Sequence, residues 1–116
     1  MSNELRLTDD ADFLLCTLYD AYRFRRKNGE SSLESRCFGD SECIQEEYIS
    51  QWSIDDIDDA ARELSDKGLA SCLFANNTLA EFAIERDGIA FMEHRFGDKL
   101  DILTQRIASL RNILFG

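Results

Sequence analysis

The chain has 116 residues, 44% of them hydrophobic and 10% aromatic, which suits one folded domain with a modest single core and argues against a disordered chain. It has no proline, carries a formal net charge of -10, and contains no stretch approaching the roughly 18 apolar residues of a membrane span, so a membrane partner is not expected. The N-terminal MSNELRLTDD lacks the basic and apolar regions of a secretory signal, and Cys16, Cys37, Cys43 and Cys72 fall mostly in apolar patterns, so the expected setting is a reducing cytoplasm.

Residues 1–8 read as a short arm. Thr8 is a natural N-cap, and Asp9, Asp10 and Asp12 suit the positive end of a helix running to about Lys27. Ala11, Leu14, Leu15, Leu18 and Tyr22 form its apolar stripe, widened by Phe13, Cys16 and Tyr19. Arg23, Arg25, Arg26 and Lys27 crowd its last turn, and Asn28-Gly29 stops it. Ser35–Phe38 is expected to be a short strand. Gly39-Asp40-Ser41 then opens a helix over about Glu42–Ile49, and Ser50-Gln51-Trp52 turns the chain into the next one.

That next helix, Ser53–Lys67, holds the chain's most unusual charge. Ser53 is its cap, Asp56 stands at N3, and Trp52 is placed to staple onto Ile57. Ile54, Ile57, Ala61 and Leu64 share one face, while Asp55, Asp56, Asp58, Asp59, Glu63 and Asp66 fill the other. Ten acids and one base lie between Asp40 and Asp66, so this segment holds -9 of the net -10.

Lys67-Gly68 closes the helix. Two apolar runs, Leu69–Phe74 and Thr78–Ile84, flank Ala75-Asn76-Asn77 and predict a tight hairpin, with Ala80, Phe82 and Ile84 on one face and Leu79, Glu81 and Ala83 on the other. Glu85–Phe96 returns to helix through Ile89, Met92 and Phe96. Gly97 interrupts, and Asp98 with Asp101 marks a new start. The last helix, about Lys99–Phe115, spaces Leu100, Leu103, Ile107, Leu110 and Leu114 as a heptad seam flanked by Ile102 and Ile113. The seam either docks on its own chain or meets a second copy; burial in both ways, in a homodimer, is the expected outcome.

The fold expected is α+β, mainly α. The order helix, short strand, helix, tight turn, helix, hairpin, helix resembles the winged-helix (winged helix-turn-helix) superfamily over about Asp9–Phe96. Asp66-Lys67-Gly68-Leu69 before the hairpin and Glu85-Arg86-Asp87-Gly88-Ile89-Ala90-Phe91-Met92 after it carry the likeness. The resemblance implies a winged-helix domain over 9–96; the heptad seam makes 97–116 the expected C-terminal dimerisation helix. Winged helices bind DNA in many members and only join proteins in others. Here the helix in the DNA-reading place is acidic, and the hairpin Leu69–Ile84 has no Lys or Arg for phosphates.

Two readings of each charged cluster follow. Glu46, Glu47, Asp55, Asp56, Asp58, Asp59 and Glu63 form either a solvated helix face or a docking surface for a basic protein, in the limit a mimic of DNA. Arg23, Arg25, Arg26 and Lys27 either cap the first helix and pair with the acids, or contact nucleic acid. Cys37 and Cys43 are badly spaced for zinc, the acidic helix lacks the spacing of a calcium loop, and His94 reads as a surface side chain. No nucleophile elbow or phosphate loop appears. The function expected is therefore a non-enzymatic interaction module without metal or cofactor; a transcription regulator holding DNA through the basic end of the first helix is the alternative.

Overall fold

The computed structural model describes residues 5–116. Of the arm expected over 1–8, residues 1–4 lie outside the described part. Among the described residues the fold is α+β and mainly helical: α1 (Asp9–Lys27), α2 (Ser32–Arg36), β1 (Cys37–Gly39), α3 (Ser41–Glu47), α4 (Ile54–Asp66), β2 (Ala70–Ala75), β3 (Thr78–Ile84), α5 (Arg86–Phe96) and α6 (Leu100–Phe115). The strands form one antiparallel sheet in the order β1-β3-β2.

Local capping explains most boundaries. The side chains of Thr8, Asp40 and Ser53 accept backbone N–H bonds from Ala11, Cys43 and Asp56, each ending the run of orphan donors at a helix start. α4 ends in a full Schellman motif: Gly68 donates to Ser65, and Leu69 donates to Leu64, with Gly68 at φ 76°. Asn76 and Asn77, at φ 53° and 63°, make the primed turn that joins β2 to β3.

Three sequence expectations need correction. Ser35 and Arg36 are helical, not extended, because Ser31 caps a one-turn helix by accepting from Glu34 N–H; the strand begins only at Cys37. Asp98 does not cap α6; Lys99 stands at that position without a side-chain cap bond. The alternation expected along β3 is broken. Leu73 pairs with Glu81 and Phe74 with Leu79, so Ala80 is an extra, bulged residue. The bulge lets Leu79 join Phe82 and Ile84 on the buried side.

α1 is the centre of the core. Phe13, Leu14, Leu15, Leu18 and Tyr19 are all buried on it. Trp52, expected to staple onto Ile57, is buried and packs its ring edge-on against Phe13 at 5.6 Å and Phe115 at 6.3 Å. These three rings tie the α3–α4 turn and the end of α6 to α1. Gly88 is required for a different contact. A Cβ there would stand 2.2 Å from the Leu69 carbonyl oxygen, so only glycine lets α5 approach the entry to β2 this closely.

Candidate functional site

The packing of α4 decides which of its acids reach solvent. Ile57, Ala60, Ala61 and Leu64 turn inward, so Asp55, Asp56, Asp59 and Asp66 turn outward. Ile44 anchors α3 in the same way and leaves Glu46 and Glu47 exposed. Glu46, Glu47, Asp55 and Asp56 have no ion-pair partner among the described residues. Asp59 meets Arg62 at 3.5 Å, in an exposed pair of little energetic weight. Arg62 is also stacked on Phe74 and donates to the Asn77 carbonyl at 2.7 Å.

The face extends beyond the residues named from sequence. Burial, then the charges of Asp56, Asp9, Glu63 and Asp59, push the Asp10 carboxyl above its ordinary value. The first turn of α1 thus adds to the same negative field, although its acids read from sequence only as partners of the helix dipole.

Two expected members of the face are bonded within the chain. Asp58 is only 3% exposed, and its carboxylate accepts the Leu79 N–H at 3.2 Å, the residue beside the bulge. It ties α4 to β3. Glu63 accepts from the Thr8 N–H at 2.9 Å and the Thr8 hydroxyl at 2.7 Å, and pairs with Lys67 at 3.3 Å. Burial raises its carboxyl, but these bonds outweigh burial and hold it below its usual range. Glu63 therefore pins the arm to α4. Lys67 adds a bond to the Arg6 carbonyl.

The basic end of α1 is largely committed to the fold. Arg23 donates to the Gly97 carbonyl at 2.7 Å. Arg25 donates to the Cys37 carbonyl at 2.8 Å and the Tyr48 hydroxyl at 2.9 Å, lying over the Phe38 ring. Arg26 donates to the Glu30 carbonyl at 2.9 Å. Lys27 is exposed, without a side-chain bond among the described residues.

The C-terminal seam is not a free stripe. Leu103 and Leu110 are fully buried within this one chain, Ile107 and Leu114 are half-buried against its core, and Leu100 is 48% exposed. The two leucines at the centre of the expected two-fold contact are thus already packed on their own domain, because α6 lies along α1.

Sequence reasoning missed the cluster that fastens this helix. Asp12, 3% exposed, accepts from both terminal nitrogens of Arg95 at 2.6 and 2.9 Å and from Arg106 at 2.8 and 3.1 Å. Burial raises the Asp12 carboxyl, but the two arginines outweigh it and hold it below its ordinary value. The signal was present: Asp12 shares a helical face with Leu15, Cys16 and Tyr19, an odd place for an acid that serves only the dipole.

Cys16 and Cys72 are poor nucleophiles. Burial, with Asp12 beside it, pushes Cys16 well up, and burial raises Cys72 to about 11. Among the described residues no three His, Cys, Asp or Glu side chains gather as metal ligands, and His94 is exposed. No family model, curated protein or solved structure matches this chain. What the arrangement offers is a rigid, mostly unpaired row of carboxylates on two packed helices, suited to attracting cations on a protein surface and to repelling phosphates.

Proposed function

We propose that this chain is a winged-helix interaction module that performs no reaction itself and binds a basic protein surface through the outward faces of α3 and α4. The layout supports the winged-helix part of the reading: a helix, a short strand, two helices at a tight turn and a hairpin share a β1-β3-β2 sheet. The observation that carries the functional part is the exposed, unpaired row of Glu46, Glu47, Asp55 and Asp56, with Asp59 weakly paired and Asp10 feeling the same field. Acids placed where a DNA reader needs donors would face phosphates spaced about every 1.7 Å along the duplex axis. The same row fits a partner that itself binds DNA or another polyanion. With Arg23, Arg25 and Arg26 bonded to carbonyls, no comparable observation favours a DNA contact at the basic end of α1. Four free cysteines suit a reducing, cytoplasmic setting.

Calorimetry with an arginine- and lysine-rich peptide tests the proposal. The expected result is salt-sensitive binding that Asp55→Asn with Asp56→Asn weakens about tenfold, while Asp98→Asn with Asp101→Asn leaves it nearly unchanged. Equal weakening by both pairs means a non-specific charge effect and overturns the reading. A mixed-sequence duplex should not bind at low salt, and a micromolar complex abolished by Asp55→Lys would also overturn it.

A further inference from the structure

The face opposite in character to the acidic one holds an open groove of about 830 Å³, walled by the C-terminal half of α1, Tyr48 and the start of α6. Phe24 lies in it at 67% exposure, more than any other large hydrophobic side chain among the described residues, and Leu100 faces the same space at 48%. Lone exposed apolar residues are ordinary, but two that line one concavity beside fixed cations are a built surface. Arg25 is one of those cations. Its guanidinium, immobilised over Phe38 and by the Glu34, Cys37 and Tyr48 oxygens, still has two of its five N–H groups free of them. A carboxylate meeting Arg25 therefore pays little to order it. Lys27 supplies a second, uncommitted cation.

We infer that this groove binds a short acidic segment of a partner protein, with an apolar side chain packed on Phe24 and Leu100 and carboxylates at Arg25 and Lys27. Charge complementarity selects that occupant. The groove is lined by three cations and by Asp20 and Glu30, so it is net positive in a chain of net charge -10. Duplex DNA fits poorly, since the two apolar side chains contribute nothing to phosphate binding and the two acids oppose it. A second copy of this chain fits poorly too. A two-fold contact centred on the groove sets Arg25 and Lys27 against their own copies. The chain's own acidic helix has no exposed apolar residue between Asp55 and Asp66 to meet Phe24. The inference does not depend on the proposed function: the two surfaces take probes of opposite charge.

Fluorescence anisotropy with a labelled short peptide of Asp, Glu, Leu and Phe tests it. Binding should fall in the micromolar range, drop at least about tenfold with Phe24→Ser, and weaken severalfold with Lys27→Glu; both side chains are exposed, so both variants should fold. Replacing Leu and Phe of the peptide by Ala should abolish binding. Three results overturn the inference: no binding up to about 1 mM, binding that neither variant changes, or competition by duplex DNA at equal charge concentration. Sedimentation adds a fourth, since an oligomer that Phe24→Ser converts to monomer shows the groove to be a self-contact. Weakened basic-peptide binding in Asp55→Asn with Asp56→Asn, with acidic-peptide binding unchanged, separates this inference from the proposed function.

Discussion

Asp12→Asn should be the most damaging conservative change in the molecule. Asparagine keeps the shape of the side chain and one acceptor oxygen but removes the charge that Arg95 and Arg106 share. Removing one partner of a buried ion pair costs about 3–5 kcal/mol, because the remaining charge stays desolvated. The Arg95 and Arg106 side chains are 28% and 37% exposed, so water recovers part of the loss and the expected cost lies near the lower end, about 3 kcal/mol. With an unfolding entropy of about 2.1 cal/mol/K per residue, that lowers the Tm of a chain of this size by about 12 °C. Urea melts followed by circular dichroism measure it. The pH dependence gives an independent check. The folded Asp12 carboxyl titrates below its ordinary value, so its contribution is fully present above the unfolded value near 4 and is lost as pH falls through the folded one. The gap between wild type and Asp12→Asn should therefore be constant from about pH 5 to 8 and narrow below about pH 4. A cost under about 1 kcal/mol at neutral pH, or a gap that does not narrow in acid, would refute the claim that this carboxylate fastens α5 and α6 to α1.

Leu110→Ala should cost about 2–5 kcal/mol and Leu110→Asp should unfold the chain, whereas Ile113→Asp, at an exposed position on the same helix, should stay within about 0.5 kcal/mol; a folded Leu110→Asp in thermal melts would show that α6 is not part of the core. Gly88→Ala should destabilise by about 2 kcal/mol or more, since the added methyl group meets the Leu69 carbonyl, and a neutral effect in urea melts would mean that α5 yields freely. Raising salt from about 10 mM to about 150 mM at pH 7 should raise Tm by screening the acidic face. Because the folded Asp10 carboxyl titrates above its ordinary value, its charge costs stability at neutral pH, and that cost should fade as pH falls through the raised value towards the ordinary one near 4; a Tm indifferent to salt contradicts the unpaired state of the face.

Much of the backbone was legible because its signals are local. Thr8, Asp40 and Ser53 cap helices through bonds to residues three positions on, and Gly68, Asn76 and Asn77 take conformations that their own side chains, or lack of one, permit. α2 escaped notice because five residues cannot show periodicity, although the Ser31 cap was visible. The bulge at Ala80 was not readable, since it lies beside Leu79, which Asp58 binds from twenty-one residues away. The site was harder for one reason. Charged residues on helices were assigned outward, and Asp12 and Asp58 point inward to partners that only the tertiary fold supplies. Of the α6 seam, Leu103 and Leu110 are buried as their spacing predicts and Leu100 is not, and spacing alone cannot say whether the covering surface is the same chain or another.

Whether the α3–α4 face receives a cationic partner is decided by amide chemical-shift mapping during titration with the arginine- and lysine-rich peptide. Perturbations should concentrate on residues 46–47, 53–59 and the first turn of α1, saturate together, and require a higher peptide concentration in Asp55→Asn with Asp56→Asn. Shifts spread evenly over the acids of the whole chain, or centred away from that face, would contradict it.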